Sequence, residues 1–384
     1  MNYLMVDISG KVLNYDIALC EAMSDSIGQE DHLKLLAANI ETKNVQCCCG
    51  RLISLIPKML QNSENKIKRS FKALEVFVNY LYLCAFVFCK RPNILHLQWL
   101  PFLEVSSIEK HFLRILRFVS PQTKFLLTVH NIYPHDCGDK EKIAYKNRLA
   151  KVERFFDKFI VHLQTSKDEF CNEFAINPTR VEVIPHGVFV PKNLKVVPHI
   201  RGEKLNLIMY GNQSYYKGTD LLVEAVALLP LESQKKVHTL IVGKTSPEYL
   251  GQLREMAKGL DIEFIPEFVP DVFLNEKIME SDVIVVPYRE ISQSGVLLLA
   301  LNFERMIVAS DLPSFKETLF GMGDDVFFKN ANAENLMKLI KKYIEENLEF
   351  DSVQKSAIEN LKKAYSWRNV ANKYLKLSII GKIK

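Results

Sequence analysis

Residues 283–311 read VIVVPYREISQSGVLLLALNFERMIVASD, and this stretch decides how the rest of the chain is read. Val283–Pro287 is a short apolar run rich in β-branched residues, the pattern of a strand buried in a parallel sheet. A polar loop, Tyr288–Gln293, follows it. Ser294 and Gly295 then open the apolar run Val296–Leu301, long enough for a buried helix, and Met306–Ser310 reads as the next strand. Backbone N–H groups at such a helix start have no intrahelical partner and carry the positive end of the helix dipole. Ser and Gly there let a phosphate come close to them. The same pattern also fits an ordinary βαβ unit with a well-capped helix.

Strands and helices alternate outward from this stretch on both sides. Upstream in the same half, strands are expected at Leu205–Tyr210, Thr239–Val242 and Ile262–Ile265, with helices at Asp220–Leu229 and Pro247–Lys258 and a short one ending at Glu276–Glu280. Downstream come a short strand at Asp325–Phe328 and helices Ala333–Glu346, Ser352–Ala364 and Trp367–Leu377. The first half repeats the rhythm. Its strands are expected at Tyr3–Val6, Leu33–Ala38, Ile94–Gln98, Lys124–His130, Phe159–Leu163 and Val181–Ile184. Its helices are Tyr15–Met23, Ile67–Cys89, Ile108–Val119, Lys142–Phe155 and Ser166–Phe174. Alternation of this kind predicts parallel sheets covered on both faces. Between the halves, Val190–Glu203 holds Pro191, Pro198 and several basic residues with little periodicity, as an interdomain linker does. The expected division is 1–188, a linker 189–203, 204–365, and a closing helix 366–384. Two doubly wound domains place ligands at the C-terminal ends of their strands.

Composition bounds the function. A chain of 384 residues with 48% hydrophobic and 25% charged residues is a folded globular protein long enough for two domains. A net charge of +5 is too weak to argue for nucleic acid. The opening MNYLMVDISG lacks the basic region of a signal peptide, so a cytoplasmic protein is expected. The eight cysteines all lie in the first half and form a Cys47–Cys49 run but no CxxC pair, which favours free thiols over a zinc site.

The second half opens on Tyr210-Gly211-Asn212-Gln213-Ser214-Tyr215-Tyr216-Lys217-Gly218: a strand, a glycine turn, a polar loop and a lysine at the mouth of a helix. A lysine there could neutralise a diphosphate, with Gly211 and Gly218 admitting it to the backbone. A surface lysine before a capped helix fits the same residues. Neither GxxxxGK[ST] nor a GxGxxG after a strand is present, which argues against a P-loop enzyme and a nicotinamide oxidoreductase.

These residues resemble a known family. YGNQSYYKGTDLLVEA, VIPHG, SDVIVVPY and SQSGVLLLALNFERMIVASD are similar in order and spacing to the retaining GT-B glycosyltransferases of family 4, and Ser366-Trp367-Arg368 resembles the start of their closing helix. The resemblance covers most of the second half; in the first it rests mainly on Thr128-Val129-His130-Asn131. It implies an α/β fold of GT-B type, two facing Rossmann-like doubly wound domains with a C-terminal helix crossing back. It also implies a nucleotide-sugar donor on the second domain and an acceptor mainly on the first. The family's arginine in the loop before the lysine is absent, its matching places being Asn212 or Ser214. The second glutamate of the family's pair falls at Leu299 or Ala300, and the first is matched by Glu290. The SxSG form, Ser292-Gln293-Ser294-Gly295 running into Val296, resembles a branch in which serine hydroxyls and the helix start hold the diphosphate.

The resemblance makes His130 the residue that reaches the donor sugar across the cleft, with Lys217 and the Ser294–Gly295 helix start stabilising the leaving phosphate. On the residues alone His130 fits equally a hydrogen-bonded loop residue at a strand end. His186 and Gly187 are expected to shape the domain border, Gly187 through a tight turn. No D-x-D pair sits at a strand end, so no metal and no cofactor beyond the donor is expected.

Two helices bear on the acceptor. Lys66–Arg91 carries basic ends around the mostly apolar Ala73–Cys89, interrupted by Glu75 and Asn79. Ile108–Val119 has Lys110, Arg114 and Arg117 on one side and Ile108, Phe112, Ile115 and Val119 on the other. Basic amphipathic helices can rest on an anionic membrane surface; a buried helix with a solvated flank shows the same pattern. The expected protein is a retaining hexosyltransferase, peripheral on the inner face of the cell membrane. It would use a nucleotide sugar and a glycan or lipid-linked acceptor, in surface polysaccharide biosynthesis. The alternative is a catalytically inactive sugar-nucleotide-binding subunit of a glycan-assembly complex.

Overall fold

The computed structural model describes residues 1–379 except 29–30, 41–47, 55–65, 135–136, 192–193, 195–200 and 347–348, and the side chains of 66–69 and 378–379. Cys47, His135, Pro198 and most of the expected linker therefore lie outside the described residues. The chain divides into two compact units, Met1–Gly187 with Ser366–Lys384, and Val188–Tyr365.

Among the described residues, the first unit holds one parallel sheet of seven strands. These are β1 (Asn2–Asp7), β2 (His32–Ala37), β3 (Cys49–Arg51), β4 (Ile94–Leu97), β5 (Lys124–Thr128), β6 (Lys158–Val161) and β7 (Val181–Val183), in the order β3-β2-β1-β4-β5-β6-β7. Helices α1 (Leu13–Ser24), α2 (Lys66–Lys90), α3 (Glu109–Val119), α4 (Asp139–Leu149) and α5 (Gln164–Phe174) connect them. Alternate strand residues feed two separate cores. Leu4, Val6, Leu95 and Leu127 pack towards α2 and α3, whereas Tyr3, Met5, Leu35 and Ile160 pack towards α1 and the last helix. Side chains on a strand point alternately to opposite faces, so this division is what a doubly covered sheet requires.

Among the described residues, the second unit has a six-stranded parallel sheet. Its strands are β8 (Leu205–Tyr210), β9 (Val237–Val242), β10 (Ile262–Ile265), β11 (Val283–Val286), β12 (Met306–Ser310) and β13 (Phe327–Phe328), in the order β10-β9-β8-β11-β12-β13. Its helices are α6 (Thr219–Ala227), α7 (Leu231–Gln234), α8 (Pro247–Met256), α9 (Asp271–Glu280), α10 (Gly295–Ala300), α11 (Pro313–Thr318), α12 (Ala333–Glu346) and α13 (Ser352–Ala364). Strand order reverses between β8 and β11, the kind of switch point at which doubly wound sheets generally bind ligands beyond their C-terminal strand ends.

The last helix, α14 (Trp367–Ile379), belongs to the first unit, where Tyr374 Oη lies 2.8 Å from Tyr15 Oη on α1. Gly187 is required by this return, not by a turn. A Cβ at Gly187 would run into the Trp367 ring, and its φ is not in the left-handed region.

Helices α2 and α3 both turn apolar residues outward. The polar interruptions of α2 point inward: Glu75 is buried against Lys72 Nζ at 2.7 Å, and Asn79 bonds both N and O of Ile53, at 2.9 and 3.0 Å. Leu74, Leu81 and Phe88 face outward with half or more of their surface exposed. On α3, Phe112 is buried as its apolar side requires, but Ile115 of the same set is exposed, as is Phe118, at 85%. Arg117 is not a surface charge either, because it donates to the Phe155 and Thr123 carbonyls and pairs with Asp157 at 2.7 Å.

Candidate functional site

In the second unit, the loop after β8 and the loop after β11 are fastened to one another. Gly218 adopts φ +71°, and a Cβ on it would meet the Pro287 carbonyl oxygen, so only glycine fits. Arg289 N donates to the Tyr216 carbonyl at 2.7 Å. The Arg289 guanidinium spans Asp220 at 2.9 and 2.7 Å, and Tyr249 Oη donates to the same carboxylate at 2.8 Å. Inside the first loop, Gln213 is buried. Its Nε2 donates to the Gly211 carbonyl at 2.6 Å and the Val242 carbonyl at 3.1 Å, while its Oε1 accepts from Thr219 Oγ1 at 2.7 Å. Gln213, Arg289 and Asp220 were not among the expected site residues. The signal was present in part, since a Gln between Gly211 and Gly218 has the donors and acceptor to pin a turn.

Lys217 is the centre of this arrangement. It is only 8% exposed, and among the described residues it has no ion-pair partner. A Cβ at Gly211 would lie 3.2 Å from Lys217 Nζ and 3.1 Å from Val296 Cγ2, so the ammonium sits beside the glycine turn and the start of α10. The Tyr288 ring centroid is 5.3 Å from Nζ, a cation–π distance. Burial lowers the Lys217 pKa to about 8. An unpaired ammonium held out of water is costly unless an anion meets it.

The second loop presents its backbone to the same place. Ser294 caps α10, accepting from Leu297 N at 3.2 Å, and Tyr210 Oη donates to the Val296 carbonyl at 2.9 Å. Gly295 is exposed with open space where a Cβ would be. The helix is only six residues, as long as the apolar run Val296–Leu301 and offset from it by one, with Leu301 at its C-cap. Its dipole is correspondingly short, and Lys217 carries most of the positive charge. Ser292 is half-buried, as is Ser214 at the entry to Lys217, while Asn212 is exposed. Glu290 is exposed and makes no hydrogen bond or ion pair with a described residue. Leu299 is half-buried and Ala300 buried, so the place of the second glutamate holds no polar group.

In the first unit, His130 follows β5 and sits in a cluster that sequence reasoning did not assemble. His162 follows β6 and His186 follows β7, and both are in ring contact with Tyr15. His162 Nε2 lies 3.2 Å from His130 Nδ1, and His162 Nδ1 lies 3.0 Å from the Ile184 carbonyl. His130 Nε2 faces Gln98 Oε1 at 3.3 Å. Each histidine ends an apolar strand run, and adjacent parallel strands bring such ends together; that spacing was the available signal. Burial holds the His130 pKa well below the ordinary value, with the neighbouring His162, His186 and His96 adding to the effect. Burial likewise lowers His162 to about 4 and His186 to about 3. His130 also borders a small cavity of about 30 Å³ lined by Trp99, Thr128, Asn131 and Pro134.

Residues 204–346 match the family model described as glycosyl transferases group 1. A GDP-mannose:glycolipid 4-beta-D-mannosyltransferase from Xanthomonas campestris pv. campestris is 23% identical over 232 residues, 57% of this chain and 61% of that protein. The match thus spans about three fifths of that relative's length. Among solved structures, a glycosyltransferase from Rickettsia africae ESF-5 aligns with TM-score 0.67 at 16% identity over 98% of each chain. The Anabaena HepE protein in complex with UDP and glucose aligns with TM-score 0.68 at 14% identity, over 98% of this chain and 99% of that one. These likenesses establish two Rossmann-like parallel-sheet domains of the kind found in GT-B glycosyltransferases.

Proposed function

We propose that this chain, whose residues 204–346 match the model described as glycosyl transferases group 1, moves a sugar from a nucleoside-diphosphate sugar to a glycan or lipid-linked acceptor with retention of configuration. The observation that carries the reading is the buried Lys217 ammonium, unpaired by any described carboxylate and set against the Gly211 turn and the start of α10. In transfer, the bond between the anomeric carbon and the diphosphate oxygen breaks. A bond forms to the acceptor hydroxyl oxygen, and the hydroxyl proton passes to the departing phosphate. Negative charge grows on that phosphate. Lys217 and the N–H groups of Ser294–Val296 would stabilise it, an electrostatic role that needs neither a divalent ion nor a cofactor. His130 is the proposed partner of the transferred sugar, and Glu290 a second one.

The empty place of the second glutamate, Leu299 and Ala300, favours a second reading: an inactive sugar-nucleotide-binding subunit of a glycan-assembly complex. Release of nucleoside diphosphate from a panel of UDP-, GDP- and ADP-sugars by the purified protein tests the two readings. Release supports the enzyme, and NMR of the glycosylated product then reads retention or inversion. Saturable donor binding without release supports the subunit.

The acceptor is proposed to be membrane-borne, as part of surface polysaccharide synthesis at the inner face of the cell membrane. Support comes from α2, which is long and apolar enough to cross a membrane yet turns Leu74, Leu81 and Phe88 outward and its polar Glu75 and Asn79 inward. With Lys110 and Arg114 on the neighbouring α3, this face suits a protein lying on an anionic surface.

A further inference from the structure

The hydrogen bonds around His130 determine which of its nitrogens carries the proton. The Ile184 carbonyl can only accept, so His162 Nδ1, 3.0 Å away, is the protonated nitrogen of that ring. His162 is buried and held neutral, which leaves its Nε2 as a lone pair. That lone pair lies 3.2 Å from His130 Nδ1, which must therefore donate. A neutral His130 then has its own lone pair on Nε2, facing Gln98 at 3.3 Å. A carboxamide oxygen there would oppose a lone pair. Half a turn of the Gln98 amide presents an N–H instead and gives up only 3.4 Å approaches to the His96 ring. The other solution is an imidazolium at His162 or His130, and it would place a charge among four buried or half-buried histidines.

We propose that His162 is a positioning residue: it holds His130 as the Nδ1–H tautomer, so that Nε2 meets the substrate as a hydrogen-bond acceptor. The relay is built from the ends of three adjacent strands, β5, β6 and β7, and is anchored on the backbone at Ile184. His130 accordingly recognises a hydroxyl of the substrate and does not donate to one of its oxygens. This last step rests on the glycosyltransferase reading; the tautomer does not.

The test is a two-bond ¹H–¹⁵N correlation spectrum of the full chain labelled with ¹⁵N-histidine, with His130 assigned by the signal missing in His130→Gln. At neutral pH the wild type is expected to show a protonated Nδ1 and an unprotonated Nε2 at His130. In His162→Leu the pattern should move to a mixture or reverse. In His162→Gln, whose carboxamide oxygen can stand where Nε2 stood, it should persist. Turnover should follow the tautomer: kcat about tenfold lower in His162→Leu with donor KM little changed, and restored in His162→Gln. A wild-type His130 protonated on Nε2, or a pattern indifferent to His162→Leu, overturns the proposal. If His162→Leu does not fold, the wild-type spectrum decides alone. Absence of turnover with every donor would count against the proposed function while the spectrum still decides the tautomer.

Discussion

Arg289 grips Asp220 as a fork, Nη1 lying 2.9 Å from Oδ1 and Nη2 2.7 Å from Oδ2. One residue belongs to the loop after β11 and the other to the first turn of α6, directly beyond Lys217. The pair is four-fifths shielded from solvent, and Tyr249 adds a third bond to the carboxylate. It thereby sets the distance between the lysine loop and the start of α10. Bidentate geometry of this kind is stronger than a simple surface pair and specific to arginine.

Arg289→Lys should therefore weaken nucleoside diphosphate binding about tenfold, equivalent to ~1.4 kcal/mol, because lysine cannot reproduce the fork. Calorimetric titration alongside a thermal melt checks this. A drop in Tm with unchanged affinity would make the pair structural only.

Lys217→Ala should lower turnover about a hundredfold or more, on the order of 3 kcal/mol for loss of one oxyanion-stabilising group, without loss of the fold. The wild type should also show a pH signature. Burial lowers the free Lys217 pKa to about 8, so the charged form prevails below that pH and is lost above it. kcat/KM for the donor should fall as pH rises through about 8, and Lys217→Arg should lack this limb. A flat profile up to pH 9 in the wild type would remove Lys217 from the role.

The histidine cluster predicts sensitivity to mild acid. His96 and His186 at about 3 and His162 at about 4 are neutral in the fold, whereas the unfolded chain takes up protons near 6.5. A depressed histidine pKa means that the unfolded state binds more protons in this window. Stability is therefore present above about 6.5 and is lost as pH falls towards 4. His162 alone would contribute roughly 3 kcal/mol of that loss. Urea midpoints at pH 7 and pH 5 measure it, and His162→Gln should flatten the difference. Equal midpoints in the wild type would contradict the burial of neutral histidines.

Much of this arrangement was legible in the sequence, and the part that was not has identifiable causes. Buried strands such as Leu205–Tyr210 and Met306–Ser310 declare themselves because both faces are covered and nearly every residue is apolar. Three-residue β3 and six-residue α11 are too short to show a period. The Lys217 loop was visible because glycines and a lone cation stand out in a polar turn. Asp220 was hidden because its partners, Arg289 and Tyr249, are distant in sequence, whereas Gln213 bonds mostly within its own loop and was legible in part. The inward face of α2 was not legible because the helix is apolar on two sides: Val76, Tyr80, Leu83 and Val87 are buried while Leu74, Leu81 and Phe88 are exposed, so periodicity does not say which side meets the protein. Glu75 and Asn79 turn inward because Lys72 and the Ile53 backbone satisfy them there.

The exposed apolar face of α2 predicts membrane binding. Vesicles containing anionic lipid should retain the protein at low salt and release it as salt screens the surface. Replacing Lys110 and Arg114 by Gln together with Leu81→Ser and Phe118→Ser should abolish retention, whereas Arg117, tied to Asp157, contributes nothing to it. Equal sedimentation of the wild type and the fourfold variant with vesicles would exclude this face as the contact.

The central claim, that Lys217 and the adjoining loops hold a nucleoside diphosphate without a metal ion, is tested most directly by titrating UDP, GDP and ADP into the full chain in EDTA. The account predicts saturable binding of at least one of the three, undiminished by EDTA and weakened about a hundredfold in a folded Lys217→Ala variant. Binding that appears only with magnesium or manganese, equal binding by the variant, or no binding of any nucleotide would contradict it.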